Sequence, residues 1–297
     1  MFSQLQFKPC QAPLWAKGGH LQTLWNFCLP DSNVPIDSAT ECLILPDGDQ
    51  LALLYSPGSS DWVIYLFHGL TGAASSNYME RTALMCIERN HSVYRVNHRG
   101  CGEGSGLARY PYHSGRGEDV SEVIALGRQK HPNKRHIAVG FSLGGNALLN
   151  LLTGQKGTVL PDYALSVNAP IDLAAASLKL QARMNRIYDL YFVNRLRQAV
   201  LRKYEEGHLP EKLCISRLST LKDFDALYTA PVCGFKSVDD YYQTCSTHQH
   251  LTNITIPTIL LTSNDDPFVP VASYQSALVS NTTHMHIEKV GGHLGYL

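Results

Sequence analysis

The sequence predicts an α/β protein built on a mostly parallel sheet with helices on both faces. Strand-like runs alternate with helix-like ones along much of the 297 residues, and a hairpin opens the series. The stretch GFSLGG (Gly140 to Gly145) joins an apolar strand directly to an apolar helix. Crossovers of that kind are right-handed and put successive strands side by side.

The elements follow in order. Two short apolar runs, Glu41 to Pro46 and Gln50 to Tyr55, flank Asp47-Gly48-Asp49 and predict a hairpin at an antiparallel edge. WVIYLF (Trp62 to Phe67) predicts the next strand, ending at His68-Gly69, with a helix from Asn77 to Asn90 behind it. SVYRVN (Ser92 to Asn97) is a strand, followed by a glycine-rich loop and a helix from Arg116 to Lys130. HIAVGF (His136 to Phe141) leads through Ser142 into a helix reaching Leu152, and YALSV (Tyr163 to Val167) is another strand. From Ile171 to Asn253 the alternation stops, and the residues read as helices and loops. It resumes with PTILLT (Pro257 to Thr262), a helix from Val271 to Ser280 and a last strand, HMHIEK (His284 to Lys289). The middle stretch is therefore an insertion between two strands of one sheet, within a single domain spanning 1–297.

Composition narrows the function classes. Lys plus Arg and Asp plus Glu both number 25, so no global charge recruits nucleic acid or an acidic membrane. The eight cysteines, Cys10, Cys28, Cys42, Cys86, Cys101, Cys214, Cys233 and Cys245, form no C-x-x-C pair, which predicts free thiols, a reducing compartment and no metal site. The opening MFSQLQFKPC lacks the pattern of a signal peptide, and no run is long enough to span a bilayer. These features predict a cytoplasmic protein.

G-x-S-x-G between a strand and a helix is the pattern of a nucleophile elbow: the turn strains the serine backbone, so its close neighbours must lack side chains. Gly140 and Gly144 fill the motif positions, and Gly145 gives room where the helix packs on the sheet. Ser142 is the candidate nucleophile, exposed at the strand's carboxyl end under a helix N-terminus. A serine hydroxyl needs a base and an acid to orient it, and in this arrangement they follow in the order Ser, Asp, His. His293, in GGH after the last strand, is placed for the base; Asp265 or Asp266, after the strand ending at Thr262, for the acid. Pro267 pushes Asp266 into extended backbone and so fixes its side-chain direction, which favours Asp266 and leaves Asp265 to accept amides of its own loop. The backbone N–H groups of Leu143 and Leu70 are the candidate oxyanion donors. His68 reads as a residue that shapes its loop. Cys101 has no legible histidine partner and the weaker setting for a nucleophile.

These stretches resemble the YheT-like hydrolases, a branch of the α/β-hydrolase superfamily that also includes the abhydrolase-domain lipases and phospholipases. The matching segments are GHLQTL (Gly19 to Leu24), HGLTG (His68 to Gly72), NHRGC (Asn97 to Cys101), YHSG (Tyr112 to Gly115), GFSLGGN (Gly140 to Asn146), DYY (Asp240 to Tyr242), DDPFV (Asp265 to Val269) and GGHLG (Gly291 to Gly295). The resemblance implies the α/β-hydrolase fold and an esterase-like serine hydrolase without metal or organic cofactor. Ser142, Asp266 and His293 match its triad, and its substrates range from short-chain esters to phospholipids. Members continue past the histidine with a helix that covers the sheet, whereas this chain stops at Leu297. Thioester hydrolysis or acyl transfer would use the same residues, and a non-catalytic binding protein on the same fold is the rival from another class.

The insertion 171–253 lies where such enzymes carry a helical cap that selects substrate. Between Leu178 and Tyr204 it holds Lys179, Arg183, Arg186, Arg195, Arg197, Arg202 and Lys203 against the single acid Asp189. Leu180, Met184, Ile187 and Tyr191 recur there at helical spacing and predict the buried stripe, with the basic side solvated. The sharper reading takes that basic face to anionic substrate or to lipid headgroups as a peripheral membrane contact. The sequence also suggests two structural roles: His20 to Thr23 as a cap on a sheet edge, and Arg99 as a residue that orients neighbouring loops.

Overall fold

The computed structural model describes residues 8–28, 35–209 and 211–296. Eight strands form one sheet: β1 (Ala39–Ile44), β2 (Gln50–Ser56), β3 (Trp62–Phe67), β4 (Ser92–Val96), β5 (Arg135–Phe141), β6 (Tyr163–Val167), β7 (Thr258–Ser263) and β8 (Thr283–Glu288). Their order is β1-β2-β4-β3-β5-β6-β7-β8. The β1/β2 and β2/β4 pairings are antiparallel and the rest parallel, so the hairpin is the antiparallel edge. The parallel centre is covered on both faces, which is why β3 reads as an unbroken apolar run with only Trp62 partly open.

One face of the sheet packs on α3 (Gly117–Lys130) and α4 (Leu143–Leu152), with Leu53, Tyr65, Phe67, Ile124, Leu148 and Leu260 in the shared core. The other packs on α2 (Asn77–Ile87) through Ile64, Leu66, Met79, Ala83 and Val139. A side chain of that size contributes roughly 1.5–3 kcal/mol on full burial. Helix α2 stops short of Asn90 because that residue takes a left-handed backbone, φ 59°. The helix after β7, Val271–Gln275, is also shorter than its sequence pattern, and the Ser276 hydroxyl folds back to the Ala272 carbonyl at its end.

Between β6 and β7 the chain forms α5 (Leu173–Leu180), α6 (Arg186–Glu205), α7 (Leu221–Phe224), a π turn (Asp225–Thr229), α8 (Ala230–Val232) and α9 (Val238–Cys245), with no strand among the described residues. The buried stripe of α6 differs from the expected one. Met184, Ile187 and Tyr191 are 75%, 72% and 43% exposed, while Tyr188, Phe192, Leu196 and Val200 face inward. A 3₁₀ turn at Arg183–Asn185 breaks the helix after Leu180, so the i, i+4 phase restarts and the inner stripe is set by Tyr188. Buried Asp189 joins α6 to α7, paired with Arg186 and accepting the Leu221 amide at 2.8 Å.

Arg99 does orient loops. Its buried guanidinium meets Asp47 and Asp49 of the hairpin turn at 2.6 Å each and grips Asp119 of α3 through two nitrogens at 2.7 Å. The stretch His20 to Thr23 lies in α1 (Gly19–Cys28), which sits against the loop carrying His293.

Candidate active site

Strand β5 delivers Ser142 into a backbone conformation that L-residues avoid, φ 51° and ψ −121°. Such strain costs roughly 1–3 kcal/mol, and the surroundings hold it in place. The Ser142 amide donates to Val167 O at 2.8 Å and its carbonyl receives the Asn146 amide at 3.1 Å. A Cβ on Gly140 would lie 2.6 Å from Gly144 O, and one on Gly144 would lie 2.4 Å from His68 O. Neither position accepts a side chain.

A hydrogen-bonded line starts at that serine. His293 Nε2 stands 2.9 Å from Ser142 Oγ, and its Nδ1 lies 2.8 Å from Asp266 Oδ2. A carboxylate only accepts, so Nδ1 carries the proton and Nε2 is left to accept from the hydroxyl. Asp266 is saturated: Oδ1 accepts the amides of Phe268 and Val269 at 2.7 and 3.0 Å, and Oδ2 also accepts Asn168 Nδ2 at 2.6 Å. The structure thus brings Ser142, His293 and Asp266 together. Asp265 has a different partner from the one expected, the Gly292 amide at 2.9 Å, across in the histidine's loop.

Several supporting residues escaped the sequence reading. Asn168 follows β6 in left-handed backbone, φ 48°, and receives the Tyr296 hydroxyl on its Oδ1 at 2.6 Å. Thr23 Oγ1 donates to Gly19 O at 2.7 Å and accepts the His293 amide at 2.8 Å. Gly19 is required there, since a Cβ would fall 1.7 Å from Asp265 O. From the far side Lys179 Nζ donates to the carbonyls of Asp266 and Val269 at 2.6 and 3.0 Å, and Asn185 Nδ2 donates to Pro267 O at 2.7 Å. Desolvation lowers the Lys179 ammonium pKa, with Asp266 and Asp265 pulling it back up. An Asn directly after a strand, as in VNAP, is the one signal that could have flagged Asn168.

Leu143 opens α4, where a helix leaves its first amides unpaired. On the loop after β3, Gly69 N donates to Tyr78 OH at 2.9 Å and Thr71 N to Tyr112 OH at 2.8 Å, and Leu70 between them lines the same cavity as Ser142. His68 is buried under this loop: Nδ1 donates to Gly69 O at 2.8 Å and Nε2 accepts the His98 amide at 3.1 Å. Burial drives its pKa well below the ordinary histidine value, and that of His98 down to about 4, so both are neutral scaffolding. Burial likewise pushes the Cys101 thiol up to about 12, which removes it as a thiolate nucleophile.

Ser142 and His293 open into a cavity of about 660 Å³, ample for a small organic ligand. Its apolar wall includes Leu180, Phe192, Leu196, Phe224 and Phe268. Arg195, Arg202 and Lys203 line it from α6, and Asp225 from the π turn.

Residues 58–289 match the family model described as serine aminopeptidase, S33. The chain is 32% identical over 265 residues to YheT of Escherichia coli (strain K12), covering 86% of this chain and 77% of that one. The chain belongs to the YheT-like family of α/β-hydrolases. This family of serine hydrolases has esterase, lipase and phospholipase members. Human phospholipase ABHD3 is 26% identical over 298 residues, 96% of this YheT-like chain and 72% of its own. An esterase of Pyrococcus furiosus shares the fold with a TM-score of 0.59 at 17% identity, over 89% of this chain and 88% of that one. No helix among the described residues is long and apolar enough to cross a membrane.

Proposed function

We propose that the protein is a serine esterase that hydrolyses carboxylic esters, short-chain or lipid-like, through an acyl-enzyme. Ser142 Oγ attacks the ester carbonyl carbon as His293 Nε2 takes its proton, and Asp266 holds the ring and stabilises the imidazolium. The Leu70 and Leu143 amides receive the oxyanion. The C–O bond to the alcohol breaks as His293 returns the proton to the leaving oxygen. Water then gives a proton to His293, attacks the acyl carbon and frees the acid and Ser142.

The observation that carries this reading is the line of 2.9 and 2.8 Å contacts from a strained serine through His293 to Asp266, opening on a largely apolar cavity. The helices of 171–253 then act as a cap that selects the acyl and alcohol groups. The exposed stripe Met184, Ile187 and Tyr191, next to Arg183 and Arg186, is the proposed site of peripheral lipid contact.

Fluorophosphonate labelling tests the assignment. Folded protein should take one adduct, at Ser142, and Ser142→Ala should take none and lose turnover of nitrophenyl esters by several thousand-fold or more. An unlabelled folded protein, or a variant with near-normal turnover, overturns it. Liposome sedimentation tests the lipid contact, since equal binding to anionic and neutral vesicles would discard the role of the arginines.

A further inference from the structure

The π turn in the cavity wall carries a carboxyl that no cationic side chain among the described residues pairs with. Asp225 is only 8% exposed and lines the cavity wall. Its carboxyl is held by hydroxyls alone, Tyr242 OH at 2.9 Å and Thr229 within its own turn. No cationic side chain pairs with it among the described residues. Three of the four Lys and Arg side chains lining the cavity are engaged elsewhere: Arg99 with three aspartates, Lys203 with the carbonyls of Ala108 and Arg109, and Arg195 over the Tyr191 ring.

Burying an ionised carboxylate without a cation is costly, and a protein ordinarily replaces or pairs such a group. Aromatic side chains line the same cavity. Phe224 and Tyr228 stand 5.5 Å apart between ring centroids and Tyr241 and Tyr242 5.3 Å apart, and all four line the cavity. The Tyr228 hydroxyl is buried and has no hydrogen-bond partner among the described residues. A π turn in a helix is itself a local distortion that is frequent at functional sites. A carboxylate combined with aromatic faces is the chemistry that binds an ammonium group: the charge answers the cation, and the ring faces answer its alkyl substituents.

We propose that the Asp225 end of the cavity is a subsite for an ammonium group, so that the preferred substrates carry a positively charged nitrogen on one side of the scissile ester. The proposal rests on the esterase reading for its substrate, but the subsite binds its ligand without chemistry. Tyr242 and Thr229 position the carboxylate, and the Tyr228 hydroxyl supplies a further polar contact.

Binding separates this from the catalytic reading. Ser142→Ala protein is titrated by calorimetry with phenyltrimethylammonium and with its neutral carbon isostere, tert-butylbenzene, and benzylammonium stands in for a primary amine. At pH 7.5 the phenyltrimethylammonium cation should bind about tenfold or more tightly than the neutral compound. Adding Asp225→Asn should bring that ratio close to one. Lowering the pH to 5 should do the same without any mutation at Asp225, because burial raises its carboxyl pKa to about 6. The titratable groups that feel its charge, Tyr241, Tyr242 and Cys233, are all raised by burial and stay neutral between these pH values. Asp189 lies beyond Tyr242 and is held by Arg186 and the Leu221 amide. The pH series also decides the matter if the double variant fails to fold. Benzylammonium binding as tightly as the quaternary probe assigns the subsite to any ammonium, and weaker binding assigns it to alkylated ones. Equal binding of cation and isostere at pH 7.5 overturns the proposal, as does a preference that survives both the substitution and pH 5. Failure of fluorophosphonate labelling with cation binding intact would sink the esterase reading alone.

Discussion

The two ends of the cavity are built on opposite principles. At the Ser142 end the reacting side chains are tied to one another and to their loops: Asp266 receives four donors, Thr23 carries the His293 amide, and Asp265 carries that of Gly292. At the π-turn end a buried carboxyl has hydroxyl partners only, and a buried tyrosine hydroxyl has none among the described residues. The first end spends hydrogen bonds on fixing geometry. The second leaves capacity unspent, which is the condition for recognising something that arrives from outside.

Substituting the adjacent aspartates separately sharpens that contrast most. Asp266→Asn should lower ester turnover by on the order of ten-thousand-fold, because an amide in its place favours the wrong histidine tautomer. Asp265→Asn keeps an acceptor for the Gly292 amide and should lose far less. Steady-state rates with circular dichroism as the folding check decide, and a larger loss at Asp265 would reverse the roles.

The next comparison lies within α6. Leu196→Ala should destabilise by about 2–4 kcal/mol because it opens a cavity under the helix, read as a shift in denaturant midpoint. Ile187→Ala, on the solvent face, should stay within about 0.5 kcal/mol. Equal losses would mean that the exposed stripe is covered in solution.

A smaller effect is expected at Asp225, and its sign depends on pH. The unfolded carboxyl titrates near about 3.9 and the folded one near about 6, so between those values the folded state holds the extra proton. Folding stability therefore falls as pH rises through that window and stays low above it. Asp225→Asn removes the fall. The variant should gain on the order of 2 kcal/mol over the wild type on going from pH 4 to pH 7.5, by thermal unfolding at both. A constant difference at the two pH values would show that folding does not raise the carboxyl's pKa.

The first end of the cavity was legible in the sequence and the second was not, for a physical reason. Glycines at 140 and 144, a histidine after the last strand and an aspartate before Pro267 answer local backbone requirements that leave a mark in a short window. The sheet was legible in the same way, from runs bounded by turns. Asn168, Thr23 and Lys179 act through contacts spanning tens to hundreds of positions, for which no local pattern exists. The inner stripe of α6 differs from the one the spacing predicts because the 3₁₀ turn at Arg183–Asn185 resets the periodicity that runs through the sequence from Leu180. Asp225 gave no signal at all, since nothing in its neighbours distinguishes a buried acid from a solvated one.

Lys179 and Asn185 hold three successive parts of the loop that begins at Asp266, and both come from the helical segment between β6 and β7. That segment cannot be exchanged as a module. Replacing it with a segment of another shape would also withdraw the donors that fix the backbone of Asp266, so the change would arrive at His293 as a change in aim. Any redesign of this enzyme's preferences has to carry those two side chains along, or rebuild the loop beneath them.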